Sequence, residues 1–148
     1  MIGNSRLSLA ALVLMAAGCG KAPPPDIVEV EGVIRLGGRP LNKAEVRFIP
    51  LVDHGPEYVA RGVTDAAGRF KLTCNGQSGA CAGENRVLVV EAEIPPQLLG
   101  EAAQVELAKY FQQLGGRPLP RKYGDLTGSP LTANVSGKQK KYDFELTP

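Results

Sequence analysis

The chain has 148 residues and a nearly balanced charge, 17 Lys and Arg against 15 Asp and Glu, with one His, three Cys and no Trp. No basic patch or stripe marks a nucleic-acid surface, and the sparse aromatics offer no evident platform for stacking sugars. No cofactor motif, metal-ligand cluster or catalytic constellation stands out, so the composition points to one non-enzymatic domain.

Residues 1–18 have the three parts of a secretory signal. Arg6 supplies the positive start, Leu7–Met15 the apolar stretch, and Ala16-Ala17-Gly18 the small residues before a cut. The apolar stretch is too short to span a bilayer, which takes roughly 20 residues. Ala16-Ala17-Gly18-Cys19 resembles the lipobox of bacterial lipoproteins, with Ala16 where Leu is commonest. That resemblance implies that the Cys19 sulfur takes a diacylglyceryl group, that the chain is cut after Gly18, and that the new amine is acylated. Two or more acyl chains give stable anchoring. An ordinary signal peptide, with Cys19 incidental, is the plainer alternative. The expected location is the cell envelope, lipid-anchored and extracytoplasmic. Gly20 at the second mature position resembles the outer-membrane sorting class rather than the inner.

Residues 19–26 carry Pro23-Pro24-Pro25 and read as a Pro-rich tether holding the domain off the lipid surface. From Ile27 the pattern turns to period two. Val28, Val30, Ile34 and Leu36 alternate with Glu29, Glu31 and Arg35. Gly37-Gly38-Arg39-Pro40 marks a turn. Val46 and Phe48 alternate with Glu45 and Arg47, residues 50–56 form a loop, and residues 58–64 form a third strand of ambiguous face. Asp65-Ala66-Ala67-Gly68 is a tight turn leading to Phe70 and Leu72. Val87–Val90 is a continuous apolar run suited to a central strand. Leu131, Ala133 and Val135 make one more strand, and Tyr142, Phe144 and Leu146 the last. Seven short strands with turns between them predict an antiparallel sandwich.

One segment departs from this pattern. After Pro95-Pro96, residues 97–114 carry Leu99, Ala103, Leu107, Tyr110 and Leu114 at helical spacing, and Gly115-Gly116 ends the run. The expectation is a helix covering the sandwich or its edge. Docking to a partner and lying on a membrane are alternatives, the last disfavoured by the scarcity of Lys and Arg. The insertion spans about residues 96–128.

Cys74 and Cys81 frame the flexible-looking stretch Asn75–Ala80. In an oxidising compartment the natural reading is a structural disulfide. Free thiols, or a redox or metal pair, are the alternatives, and the spacing is not that of a redox motif. His54 reads as an exposed loop residue, Glu29 and Glu31 as a solvated face, and Asp65 as a turn residue rather than a Ca²⁺ ligand. Lys138-Gln139-Lys140-Lys141 reads as a polar hairpin that could approach anionic headgroups.

Several stretches resemble carboxypeptidase regulatory-like domains. These are Val30-Glu31-Gly32-Val33-Ile34, then Gly38-Arg39-Pro40-Leu41, Ala44-Glu45-Val46-Arg47-Phe48, and Thr64-Asp65-Ala66-Ala67-Gly68-Arg69-Phe70. The later stretches Leu119-Pro120-Arg121-Lys122-Tyr123, Ser129–Val135 and Tyr142-Asp143-Phe144-Glu145-Leu146 are similar to the tails of small bacterial lipoproteins carrying that domain. The resemblance covers about residues 28–148, and the cysteines around 74–81 depart from its usual Gly-rich connection. It implies an all-β fold, a transthyretin-like seven-stranded antiparallel β-sandwich over residues 27–148 with a helical insertion before the last two strands. It brings no catalytic residues: a His-x-x-Glu spacing occurs at His54-Gly55-Pro56-Glu57, but the chain has no second His, and it lacks the several His and the ending of transthyretin-like hydrolases. The expected function is a structural or protein-interaction module. Its partners would be the membrane, through lipid on Cys19, and an envelope protein or glycan met through the insertion. The alternative is a small-ligand or glycan-binding module using loops 50–57 and 74–85.

Overall fold

The computed structural model describes residues 23–148, so the expected signal, Cys19 and the first part of the tether lie outside the described residues. Short strands dominate, with one α-helix. In chain order they are β1 (Ile27–Val28), β2 (Glu31–Leu36), β3 (Arg39–Pro40), β4 (Ala44–Pro50), β5 (Ala60–Val63) and β6 (Arg69–Lys71). Then come β7 (Thr73–Cys74), β8 (Gln77–Ser78), β9 (Ala80–Cys81), β10 (Gly83–Glu91), helix α1 (Gln104–Leu114), β11 (Thr132–Val135) and β12 (Phe144–Leu146). One sheet runs β11-β10-β4-β5-β7-β8. The second has β12, β2 and β3 in order, with β6 also paired to β2, and β1 pairs with β9 in a small ribbon.

The alternation read from the sequence sets which face of each strand is covered. Ala44, Val46 and Phe48 of β4 point inward, while Glu45 and Arg47 are half-exposed on the other face. Phe48 links the two sheets: its ring lies 6.3 Å from Phe70 and edge-on to Tyr142 and Phe144, each at 6.1 Å. Ile34, Leu72, Val87, Val89, Val135 and Leu146 complete the buried centre. Val87–Val90 is apolar throughout because β10 is covered on both faces. Its inner face meets the core, and the chain returning from the insertion runs along the other, where Arg86 Nη1 donates to the Thr127 and Ser129 carbonyls.

Four expectations change. The sandwich is not wholly antiparallel, because β12 runs parallel to β2, with Phe144 opposite Ile34 and Leu146 opposite Leu36. The first strand is divided: β1 pairs with β9 and β2 with the second sheet, so the chain changes partners at Glu29-Val30. The predicted helix 97–114 becomes two single 3₁₀ turns, Pro96–Leu98 and Glu101–Ala103, before α1. Gly100 separates them at φ 157, ψ 158, a backbone region open essentially to Gly alone. Finally, residues 74–81 are not a flexible loop. Asn75 and Gly76 both have positive φ, 47° and 74°, and turn β7 tightly into β8.

The register gives the sandwich two distinct ends. At one end Asn85 faces Pro50, Gly83 faces Val135, and Leu51 N donates to Glu84 O. The chain emerging from the tether joins this end, where Ala82 N donates to Asp26 O and Glu31 N to Lys140 O. At the other end Glu91 faces Ala44, Ala92 N donates to Lys43 O, and the insertion departs.

Candidate functional site

Cys74 and Cys81 come together in the core, each essentially fully buried. Their sulfurs lie 4.0 Å apart and both approach the Tyr58 carbonyl. The expected bridge is not formed in this structure: both are free thiols, whereas a disulfide holds its sulfurs about 2.0 Å apart. Burial pushes the Cys74 thiol up to about 12, helped by its neighbour Cys81, and burial also raises Cys81. As thiols they pack as small apolar side chains rather than reactive nucleophiles.

His54 is half-buried in the loop after β4, edge-on to Tyr58 at a ring distance of 6.0 Å. Its neighbour Asp53 does not orient it: Asp53 Oδ1 instead accepts the Gly55 N–H at 2.9 Å, closing the loop on itself. Pro23, Pro24 and Pro25 lie across this loop and, with Asp53, His54, Glu57 and Tyr58, bound a groove of about 410 Å³.

Asp65 takes the turn role read from its sequence. Its Oδ1 accepts the N–H groups of Ala67 and Arg69, each at 2.9 Å, which fixes the reversal into β6. Glu29 and Glu31 lie on the rim of the second sheet. Glu29 pairs with Lys140 at 2.9 Å, and that hydrogen bond and charge lower the Glu29 carboxyl below its ordinary range. Beside them a groove of about 610 Å³ is lined by Glu31, Val63, Asp65, Arg69, Lys71 and Lys141 among others. Among the described residues no three or more His, Cys, Asp or Glu side chains gather as a metal set.

From Pro96 to Lys122 no residue of the insertion is fully buried. No residue of α1 is fully buried. Leu107, Tyr110 and Leu114 are half-covered, while Leu99 and Val105 are each 61% exposed. The stripe therefore covers the sandwich only in part. What holds the insertion is Arg117, whose side chain is 1% exposed. Its Nε donates to Glu91 Oε2 at 2.7 Å, and its Nη2 donates to the Asn42 and Lys43 carbonyls.

Sequence reasoning missed three holding residues. Arg117 lies just past the Gly115-Gly116 end of the periodic run, where no pattern marks it. Tyr123 is buried, its hydroxyl accepting the Thr147 N–H at 2.8 Å, which ties the insertion's return to the chain end of the second sheet. The Tyr142 hydroxyl donates towards the Asn134 and Gln139 carbonyls and accepts the Ser136 N–H, closing the basic hairpin. Nothing in residue spacing announces such contacts, although the Asn-Gly turn at 75–76 was a readable signal.

No family model, curated protein or solved structure matches the chain.

Proposed function

We propose that the chain is a lipid-anchored envelope protein, acting without catalysis, whose sandwich displays the insertion to a protein partner. The observation that carries this reading is the opposition of the two ends. The tether side joins at Asp26–Ala82, and the insertion is clasped at Asn42, Lys43 and Glu91 across the length of β4 and β10. An anchor at Cys19 would put the exposed Leu99 and Val105 on the side away from the lipid. An insertion that is held at its base yet leaves apolar side chains exposed suits contact with a second protein.

The transthyretin-like, carboxypeptidase regulatory-like assignment belongs to the same proposal. Its support is local. Gly37 and Gly38 turn β2 into β3, which Arg39 and Pro40 form, and the Asp65–Gly68 turn is capped by Asp65 as that motif requires. A Cys74–Cys81 bridge also remains part of the proposal: an oxidised dithiol of the envelope would accept the pair's two electrons and protons.

The small-ligand reading finds less support in the grooves. Asp65 is engaged in its turn and Lys141 lies 4.0 Å from Asp143, so two of the polar groups beside the larger groove have partners within the fold. Against catalysis stands the arrangement at His54, which faces an aromatic edge and gains no orienting carboxylate.

The test is photo-crosslinking in intact cells from a probe at position 105, with a control probe at Arg35 on the second sheet. The reading predicts one discrete adduct from 105 that disappears when Leu99 is changed to Glu, with thermal stability unchanged. Identical adduct patterns from both positions would contradict it.

A further inference from the structure

We infer that the tether end of the sandwich is itself a lipid-contacting surface, with Leu51 and Val52 seated at the boundary between headgroups and acyl chains. The inference rests on the anchoring reading above and adds a second point of contact. Among the described residues, large exposed apolar side chains are Leu51, Val52, Val63, Leu99, Val105 and Leu126. Leu51 and Val52, 57% and 66% exposed, are the two of these that are adjacent in sequence.

Their place in the fold gives them the bilayer as occupant. Leu51 N is fixed to Glu84 O, so the pair sits at the end where Asp26 binds Ala82. Pro23–Pro25 line one groove with Asp53, His54 and Tyr58, the residues that immediately follow in the same loop and its turn. Pro23 and Pro24 are exposed beside them. Only four residues of reach separate Cys19 from Pro23, at most about 14 Å of extended chain. A leash that short keeps this end at the lipid, rather than holding the domain off the surface as the Pro-rich stretch alone suggests. Two apolar side chains there lose water without an additional encounter step, since the anchor has already made the contact intramolecular.

Charge identifies the kind of surface. Asp53, Glu57 and Glu84 at this end offset Lys138, Lys140 and Lys141 of the adjoining hairpin, and Lys140 is already paired with Glu29. Among the described residues this end has no surplus of positive charge to seek anionic headgroups. The contact is therefore apolar and suits a zwitterionic bilayer.

The chain's lack of Trp makes the test direct. Full-length lipidated protein carrying V52W, and separately V105W, is reconstituted in phosphatidylcholine–phosphatidylethanolamine vesicles, with and without brominated acyl chains. The expected result is co-flotation of both variants with the vesicles. V52W emission shifts to shorter wavelength and is quenched by bromine, whereas V105W emits as in water and is not quenched. Co-flotation with V52W unquenched overturns the contact while leaving the anchor intact. Quenching at both positions shows the domain lying flat and also overturns it. Failure of both variants to co-float overturns anchor and contact together.

Discussion

Arg117 Nε donates to Glu91 Oε2 at 2.7 Å across the base of the insertion, with the Arg117 side chain withdrawn almost completely from solvent. The remaining guanidinium donors reach the Gly115, Asn42 and Lys43 carbonyls, so one side chain ties the end of α1 to the ends of β4 and β10. A buried pair of this kind adds little over an apolar replacement, but breaking it by removing one partner is costly.

Arg117→Ala is therefore expected to lower stability by about 3 kcal/mol, because Glu91 is left beside uncompensated carbonyls. Glu91 Oε1 is already buried without a hydrogen-bond partner, so it has no alternative donor at hand. Arg117→Lys keeps the charge but not the fork and should recover only part of the loss. Urea denaturation of the three proteins, read by far-ultraviolet circular dichroism, checks this.

The hairpin before β9 separates two kinds of glycine. At Gly76 an added Cβ meets nothing within 4 Å, so Gly76→Ala costs only the positive φ of 74°, about 1 kcal/mol. At Gly79, φ is 125° and the added Cβ would come within 2.0 Å of Val28 O, so Gly79→Ala must push β1 off its partner. The expected loss is several-fold larger than at Gly76. It should be accompanied by faster hydrogen exchange at Ala82 N, which is bonded to Asp26 O. Equal destabilisation at the two sites would contradict this account of the β1–β9 pairing.

In the reduced protein, the Cys74 thiol holds its proton in the folded state up to about 12 because of its burial and of Cys81 beside it. The unfolded chain ionises near its ordinary value of about 8.5. Between those limits the unfolded state binds fewer protons, so stability is complete below the lower limit and falls as pH rises towards the upper one. The slope is about 1.4 kcal/mol per pH unit for this thiol. Denaturation in reductant at a series of pH values should show that slope in the native sequence. It should be shallower in Cys74→Ala, and native Cys74 should react slowly with a thiol reagent at neutral pH.

The sheet pattern was legible wherever one face of a strand is covered. Val46 and Phe48, Ala133 and Val135, and Tyr142 and Leu146 are all buried as their alternation with polar residues indicates. Pairing partners were not legible. Period two says which face of β12 is buried but not that it lies parallel to β2, since a parallel neighbour requires only the same inward set. The helix was recognised by its stripe, but its start was misplaced, because a Gly inside a periodic run gives no sign of the backbone angles it will take. The holding contacts of Arg117, Tyr123 and Tyr142 join residues far apart in sequence, and no local pattern encodes them. At the candidate site, Asp65 was read correctly because its partners are two and four residues away. The cysteine pair was read only as a pair: their closeness was expected, and their unbonded burial was not.

The central claim is that a lipid on Cys19 holds one end of the sandwich at the membrane and leaves the insertion free at the other. The most direct test is the intact mass of the protein extracted from its native membrane, taken before and after reduction. The account predicts a chain beginning at Cys19 and carrying acyl groups, with a further gain of one hydrogen pair on reduction where Cys74 and Cys81 are bridged. A soluble product without acyl mass would contradict it.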